Sequence, residues 1–348
     1  MAKNKYYAVK VGLTPGIYTT WAECEANVKG YPKAEYKGFK ELSEAEAYMD
    51  GAESADTYAN VTLNHNTNTS PAGDADNIGD LKDNPSPITY ESYIGQDEVG
   101  KSEPFRRIIV VSAYLDDNHM DELKTIGATN DSKNYGLDTD KCIMIGKELT
   151  DFESFKECEN GIYENEKYGI TFSIYSISNG YYNELHEKEE RINANKIIAI
   201  MHNRAGFNLC NHLAKKGIRI KDVVIDNFMG KNDCDKLYAK YASYEKYRLD
   251  KSGVNMHFET KSEKKYPAVA VAANIANYIE ALYANEVRNS IAAKGGDLDS
   301  HGFSNSKDDV QYAFDEIVKV YGSLDNPDIE EEFKHTQYYN NYVDSGHL

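Results

Sequence analysis

The sequence is poor in tryptophan, cysteine and long apolar runs. Trp21 is the only tryptophan among 348 residues. Five cysteines (Cys24, Cys142, Cys158, Cys210 and Cys234) are odd in number, scattered, and free of any C-x-x-C pair. That argues against a disulfide framework and against a zinc site, so reduced thiols are expected. No apolar run approaches the ~20 residues that a membrane helix needs. The opening stretch "MAKNKYYAVKVG" has no apolar signal segment, and a cytoplasmic location is expected. Basic residues are also in deficit: the net charge is −18, which by bulk charge speaks against nucleic acid.

The deficit is uneven. Residues 1–42 hold seven lysines and four glutamates, a net of +3, and the remainder carries −21. A small basic module joined to a large acidic one implies a division of labour. Residues 1–50 are compact and aromatic-rich. Residues 51–90, with "NVTLNHNTNTSPAGDADNIGD" and "DNPSP", are polar and aperiodic, and read as a flexible tether. Such a tether spans roughly 35 Å root-mean-square. Residues 91–348 are long enough for a sizeable separate core.

In the large segment, "YIGQDEV", "RRIIVVSAYL", "YGITFSIYSIS", "IRIKDVVIDNF" and "VNMHFET" read as strands. "NANKIIAIMHNRAGFNLCNHLAKKG" reads as an amphipathic helix closing at Gly217. A long helix starts near Pro267, and "DDVQYAFDEIVKVYG" is another. This pattern predicts an α/β (α+β) architecture: a mixed five-stranded sheet with helices on both faces.

Three of these elements end in acids. Asp97 and Glu98 close the first strand, Asp226 closes "KDVVID", and Glu263 sits where a strand hands over to a helix. In open α/β sheets, chemistry gathers beyond the carboxyl ends of the strands. If the strands ending at Asp97 and Asp226 are neighbours, up to four acids can converge. Adjacent strand residues point to opposite faces, so Asp97 and Glu98 share a site only where the strand breaks, and Gly100 offers a break. A cluster of this kind repels itself unless cations neutralise it, and all-oxygen ligands suit Mg²⁺ or Mn²⁺. Two such ions about 4 Å apart clamp the attacking and leaving oxygens of a phosphodiester. Spacing alone leaves open the plainer reading that each acid is a solvated loop-start residue.

The surroundings of these acids resemble ribonuclease HIII, of the ribonuclease HII/HIII family. The resemblance lies in "YIGQDEVGKSEPFRRIIVVSAYL", "GATNDSKNYG", the helix carrying "MHN", "VVIDNF" and "FETKSEKKYPAVAVAANIA", all in the family's order. It implies a ribonuclease H-like fold. Carried over residue by residue, it also implies that Asp97, Glu98, Asp226 and Glu263 are the catalytic acids and hold two metal ions in the family's manner. Gly100, Lys101 and Ser102 stand at the family's ribose-approaching turn, and Lys133 at its D-S-K lysine, a phosphate contact. Ser102 replaces a glycine there, and Arg106-Arg107 replaces a Gly-Pro. Lys261 is placed to screen Glu263, to meet a phosphate or, equally, to serve as a plain surface residue. His202, on the amphipathic helix, reads as a packing residue ahead of a catalytic one.

Residues 5 to 51 resemble the hybrid-binding domain of eukaryotic-type ribonuclease H and caulimovirus inclusion-body proteins. The reading is a three-stranded antiparallel sheet with two helices. Trp21 and Tyr36 match the family's aromatic contacts and Lys37 a basic one; Gly38 stands where a second lysine is common. Together the two resemblances imply an endoribonuclease cutting the RNA strand of RNA–DNA hybrids; separately, a monomer with no obligate protein partner and no membrane is expected. Three alternatives stay open: a hybrid- or double-stranded-RNA-binding protein with an impaired nuclease, incision at single ribonucleotides in DNA, and an acidic scaffold.

Overall fold

The computed structural model describes residues 5–11, 16–29, 34–50, 93–101, 107–132, 140–152, 161–188, 193–226, 252–298, 306–324 and 326–329, with a few positions between 228 and 249. The tether expected at 51–90 lies outside these residues, as do Ser102, Arg106 and Lys133.

The first unit follows the expected pattern. Strands β1 (Tyr6–Val11), β2 (Gly16–Tyr18) and β3 (Glu35–Phe39) form an antiparallel sheet in the order β2-β1-β3, with helices α1 (Trp21–Val28) and α2 (Leu42–Asp50). Ala8 of β1 packs with Ala45 of α2, and its neighbour Val9 packs with Cys24 and Val28 of α1. Successive strand residues alternate in direction, so the two helices cover opposite faces of β1. This core is small, and it leaves the rings of Trp21 and Tyr36 outside it.

The second unit is built on a six-stranded sheet. Its strands are β4 (Tyr93–Val99), β5 (Ile108–Leu115), β6 (Gly161–Asn165), β7 (Ile170–Ile177), β8 (Asp222–Asp226) and β9 (Asn255–Glu259), in the order β6-β7-β5-β4-β8-β9. The first four are antiparallel to their neighbours, whereas β4, β8 and β9 run parallel. The expected five strands are all present; the sixth is β6. Its sequence "GIYEN" lacks a buried face and, among the described residues, pairs only with β7, through the turn closed by Gly169 at φ +59°. An edge strand of this kind carries little periodic signal.

All eight residues of β5 are buried. Val111 belongs to the core with Val269, Ala272 and Ile275 of the long helix Pro267–Ala293, and Val110 belongs to that with Ile198 and Met201 of the helix Ala194–Lys215. Helices therefore cover both faces, which explains the continuous apolar run of β5. In chain order the further helices are α3 (Met120–Ile126), α4 (Asp140–Thr150), α5 (Asn179–Lys188), α6 (Ala194–Lys215), α7 (Pro267–Ala293) and α8 (Lys307–Tyr321). Asn193 caps α6 by accepting from the Lys196 N–H, and Ser306 caps α8 by accepting from the Asp309 N–H. Pro267 opens α7 at the first helical position, where its missing N–H costs no bond. Among the described residues, no helix is long and apolar enough to cross a membrane.

Candidate active site

Parallel pairing of β4 with β8 matches Gln96 to Ile225, so both strands deliver their carboxyl ends to one edge of the sheet. Asp97 and Glu98 lie at the end of β4 and Asp226 at the end of β8. Glu263 follows β9 in a short 3-10 turn (Ser262–Lys264) just ahead of α7. The sequence placed these four acids at element ends, and the topology brings those ends together.

The alternation of β4 runs unbroken through the acidic pair: Asp97 is matched to Val111 and Glu98 to Val110. Tyr93 accepts a hydrogen bond from the Ala268 N–H of α7, so Tyr93 and Asp97 share the α7 face. Glu98 turns to α6, where it meets His202. The expectation that a break at Gly100 lets both acids face one way is therefore corrected. The break comes after the pair, and the acids approach the sheet edge from opposite faces. Gly100 itself has φ +84°, and an added Cβ would lie 1.7 Å from the Arg107 carbonyl oxygen. Only glycine fits there, directly after the last residue of β4.

Three of the acids have side-chain partners of their own. The Ser262 N–H and hydroxyl donate to Asp226 Oδ1 at 3.0 and 2.8 Å. The Ser132 N–H and hydroxyl donate to Glu263 Oε2 at 3.2 and 3.0 Å. Glu98 Oε2 lies 3.0 Å from His202 Nε2. Burial pushes the Asp97 carboxyl well above the usual carboxylate range, and the charges of Glu98, Glu263 and Asp226 add to the push. All three other acids thus lie within electrostatic reach of Asp97. Among the described residues, no three carboxylate, imidazole or thiol groups close on a single ligating point.

The remaining expected residues are distributed as follows. The Lys101 ammonium lies 5.8 Å from the centre of the Phe228 ring, beside the helix that Glu98 faces. Arg107, which with Arg106 stands where the family has Gly-Pro, donates from Nε to Ser176 Oγ at 2.9 Å and stands over the Tyr283 ring. Lys261 is in the left-handed region at φ +57° and leads into the turn carrying Ser262 and Glu263. On the small unit, Trp21 and Tyr36 are 44% and 45% exposed, with ring centres 5.9 Å apart, and Lys37 is exposed on the same strand as Tyr36.

Three residues were missed by sequence reasoning as members of the site. Ser132 and Ser262 adjoin residues that had been singled out, but nothing in a lone serine announces a carboxylate clamp. His202 reads from the sequence as a packing residue ahead of a catalytic one. It is fully buried, and it also touches Glu98.

Known proteins resemble both units. Residues 94–311 match the family profile described as Ribonuclease HII, and residues 5–49 match that of the Ribonuclease H1 N-terminal domain. A "Ribonuclease HIII" of Bacillus cereus (strain AH187) is 30% identical over 203 residues, 58% of this chain and 55% of its own length. Another, from a second strain of Bacillus cereus, is 28% identical over 255 residues, covering 73% and 68%. The chain spans roughly half to two thirds of the length of the curated relatives it matches. Among solved structures, the Bst-RNase HIII complex with Mn²⁺ superposes with a TM-score of 0.53 at 16% identity, covering 78% of this chain and 77% of that one; the likeness is one of fold. The chain belongs to the ribonuclease HII family, with a ribonuclease H1 N-terminal domain ahead of the family's own domain.

Proposed function

We propose that this protein is a metal-dependent endoribonuclease that hydrolyses the RNA strand of RNA–DNA hybrids. The observation that carries the reading is the placement of Asp97 and Glu98 at the end of β4 and Asp226 at the end of its parallel neighbour β8, with Glu263 in the turn that follows β9; burial and the neighbouring charges raise the Asp97 carboxyl in accord with it. Mutual repulsion of this kind is relieved by cations, and a donor set made only of carboxylate oxygens fits Mg²⁺ or Mn²⁺. Asp97, Glu98, Asp226 and Glu263 are the residues that would hold them. When bound, a pair of such ions supplies electrophilic stabilisation of the phosphodiester and of the attacking and leaving oxygens.

The rest of the work falls to the chain. Ser132 and Ser262 fix the directions of Glu263 and Asp226 before substrate arrives. Gly100 and Lys101 form the turn that approaches the RNA ribose, with Ser102 and Lys133 as further contacts by family resemblance. Cleavage leaves 5′-phosphate and 3′-hydroxyl ends. The Trp21–Tyr36 pair offers an apolar face to a deoxyribose, which tolerates no 2′-hydroxyl, and Lys37 meets a phosphate.

In this reading residues 1–50 hold the duplex, 51–90 tether it, and 91–348 cut. A flexible tether raises the local substrate concentration to roughly millimolar and favours repeated cuts. The test is cleavage of an end-labelled RNA–DNA hybrid with Mg²⁺ and with Mn²⁺, beside Asp97→Asn. Cation-dependent cutting of the RNA strand by the wild type alone is expected; binding without cutting in either ion contradicts the reading.

A further inference from the structure

The family resemblance assigns no task to the buried imidazole between the sheet and α6. His202 is fully buried, yet both of its ring nitrogens face oxygen atoms. Nδ1 lies 3.2 Å from Gln96 Oε1, and Nε2 lies 3.0 Å from Glu98 Oε2.

Hydrogen-bond accounting fixes this arrangement. The Gln96 amide nitrogen donates to the His202 carbonyl oxygen at 3.0 Å and to Ser112 Oγ. A carbonyl oxygen only accepts, so the amide cannot be turned over, and Gln96 Oε1 must be the atom that faces the ring. Nδ1 therefore carries a proton and donates it to Gln96. On the other side of the ring, the 3.0 Å Nε2···Oε2 contact ties the Glu98 carboxyl to His202. Gln96 and Glu98 lie two residues apart on β4 and so on the same face. Room for the Gln96 amide comes from Gly206, one helical turn beyond His202, where a Cβ would stand 2.6 Å from Gln96 Nε2.

The ring plane is set as well. His202 stacks on Phe228 with ring centres 5.0 Å apart and planes 14° from parallel. Phe228 follows Asp226 by two residues, and Lys101 stands over the same Phe228 ring. Thus α6, the end of β4 and the chain leaving β8 are locked together around one imidazole.

We propose that His202 is a positioning residue: through Nε2 it aims the Glu98 carboxylate at the cation site from the α6 side of the sheet, with Gln96 and Phe228 fixing the ring. The inference rests on the nuclease reading above. Asp97 reaches the site from the α7 face, so Glu98 needs its own support on the opposite face. Partners that orient a ligand in this way typically account for about 10–100-fold in metal affinity.

The test is Mn²⁺ titration by calorimetry on the full chain, for wild type, His202→Ala, His202→Gln and Phe228→Leu, each with a thermal melt and hybrid-cleavage kinetics. Expected is a loss of Mn²⁺ affinity of about 10-fold or more for His202→Ala. His202→Gln, which keeps a donor near Glu98, should recover part of it, while KM for the hybrid stays unchanged. Should His202→Ala fail to fold, His202→Gln and Phe228→Leu carry the comparison. Reduced Mn²⁺ affinity with an unchanged melting temperature supports the role, and wild-type affinity in both overturns it. A wild type that binds Mn²⁺ and cuts, beside a folded His202→Ala of equal affinity, overturns this inference alone. A wild type that neither binds Mn²⁺ nor cuts overturns it together with the nuclease reading.

Discussion

Ser262 holds Asp226 with two donors, its backbone N–H and its hydroxyl, and is followed directly in the chain by Glu263. The spacing of two acids is therefore set by one peptide unit. Ser132 repeats the device on Glu263. A hydrogen bond to a charged group contributes about 1.5–3 kcal/mol. Ser262→Ala keeps the N–H bond and loses the hydroxyl bond. We expect it to raise the Mn²⁺ concentration for half-maximal cleavage by roughly tenfold or more. A cation-dependence curve beside the wild type checks this.

Asp97 gives a pH prediction. Its folded-state carboxyl is raised above its unfolded value, so the cation-free folded protein binds more protons than the unfolded chain. The native state is then favoured at mildly acid pH and loses that advantage as pH rises through the raised value. Without divalent ions, Asp97→Asn should melt higher than wild type near about pH 8, with the gap closing towards about pH 4, while abolishing cleavage. Melts with a chelator across this range measure it. Added Mn²⁺ should stabilise the wild type more than the variant.

The exposed aromatic pair predicts a separable binding defect. Each ring–nucleotide contact contributes about 1–3 kcal/mol. Trp21→Ala with Tyr36→Ala should weaken hybrid binding by ~10-fold or more while sparing the melting temperature and turnover at saturating substrate. Deletion of residues 1–50 should act in the same way. Equal loss of binding and of saturated turnover contradicts the tethered-module account. Fluorescence anisotropy with a labelled hybrid, beside steady-state kinetics, separates the two.

Much of this was legible in the sequence, for identifiable reasons. The run "IIVVSAYL" has to be buried on both faces, and Pro267 has to open a helix, so the sheet and its covering helices could be placed. The acids stood out because Asp97 and Asp226 follow apolar strands. The edge strand β6 did not stand out, since "GIYEN" has no buried face to set a period. The donors Ser132 and Ser262 do not announce themselves in the sequence, because each becomes a site member only through a partner 36 to 131 residues away, and His202 reads there as packing ahead of catalysis. The opposite directions of Asp97 and Glu98 did follow from strand alternation. Gly100 lies after the pair and leaves that alternation intact.

Gly100 makes the turn after the acids. A Cβ there meets the Arg107 carbonyl, and φ +84° is strained for any other residue. Gly100→Ala should destabilise the fold by ~1–3 kcal/mol or more and depress cleavage at any cation concentration. Urea unfolding and cleavage of the same preparation read both effects.

The central claim is that carboxylates distant in the chain share divalent cations at the end of β4 and β8. Anomalous diffraction from crystals grown with Mn²⁺ tests it most directly. The account predicts density bounded by Asp97, Glu98, Asp226 and Glu263; density elsewhere, or none at saturating Mn²⁺, contradicts it.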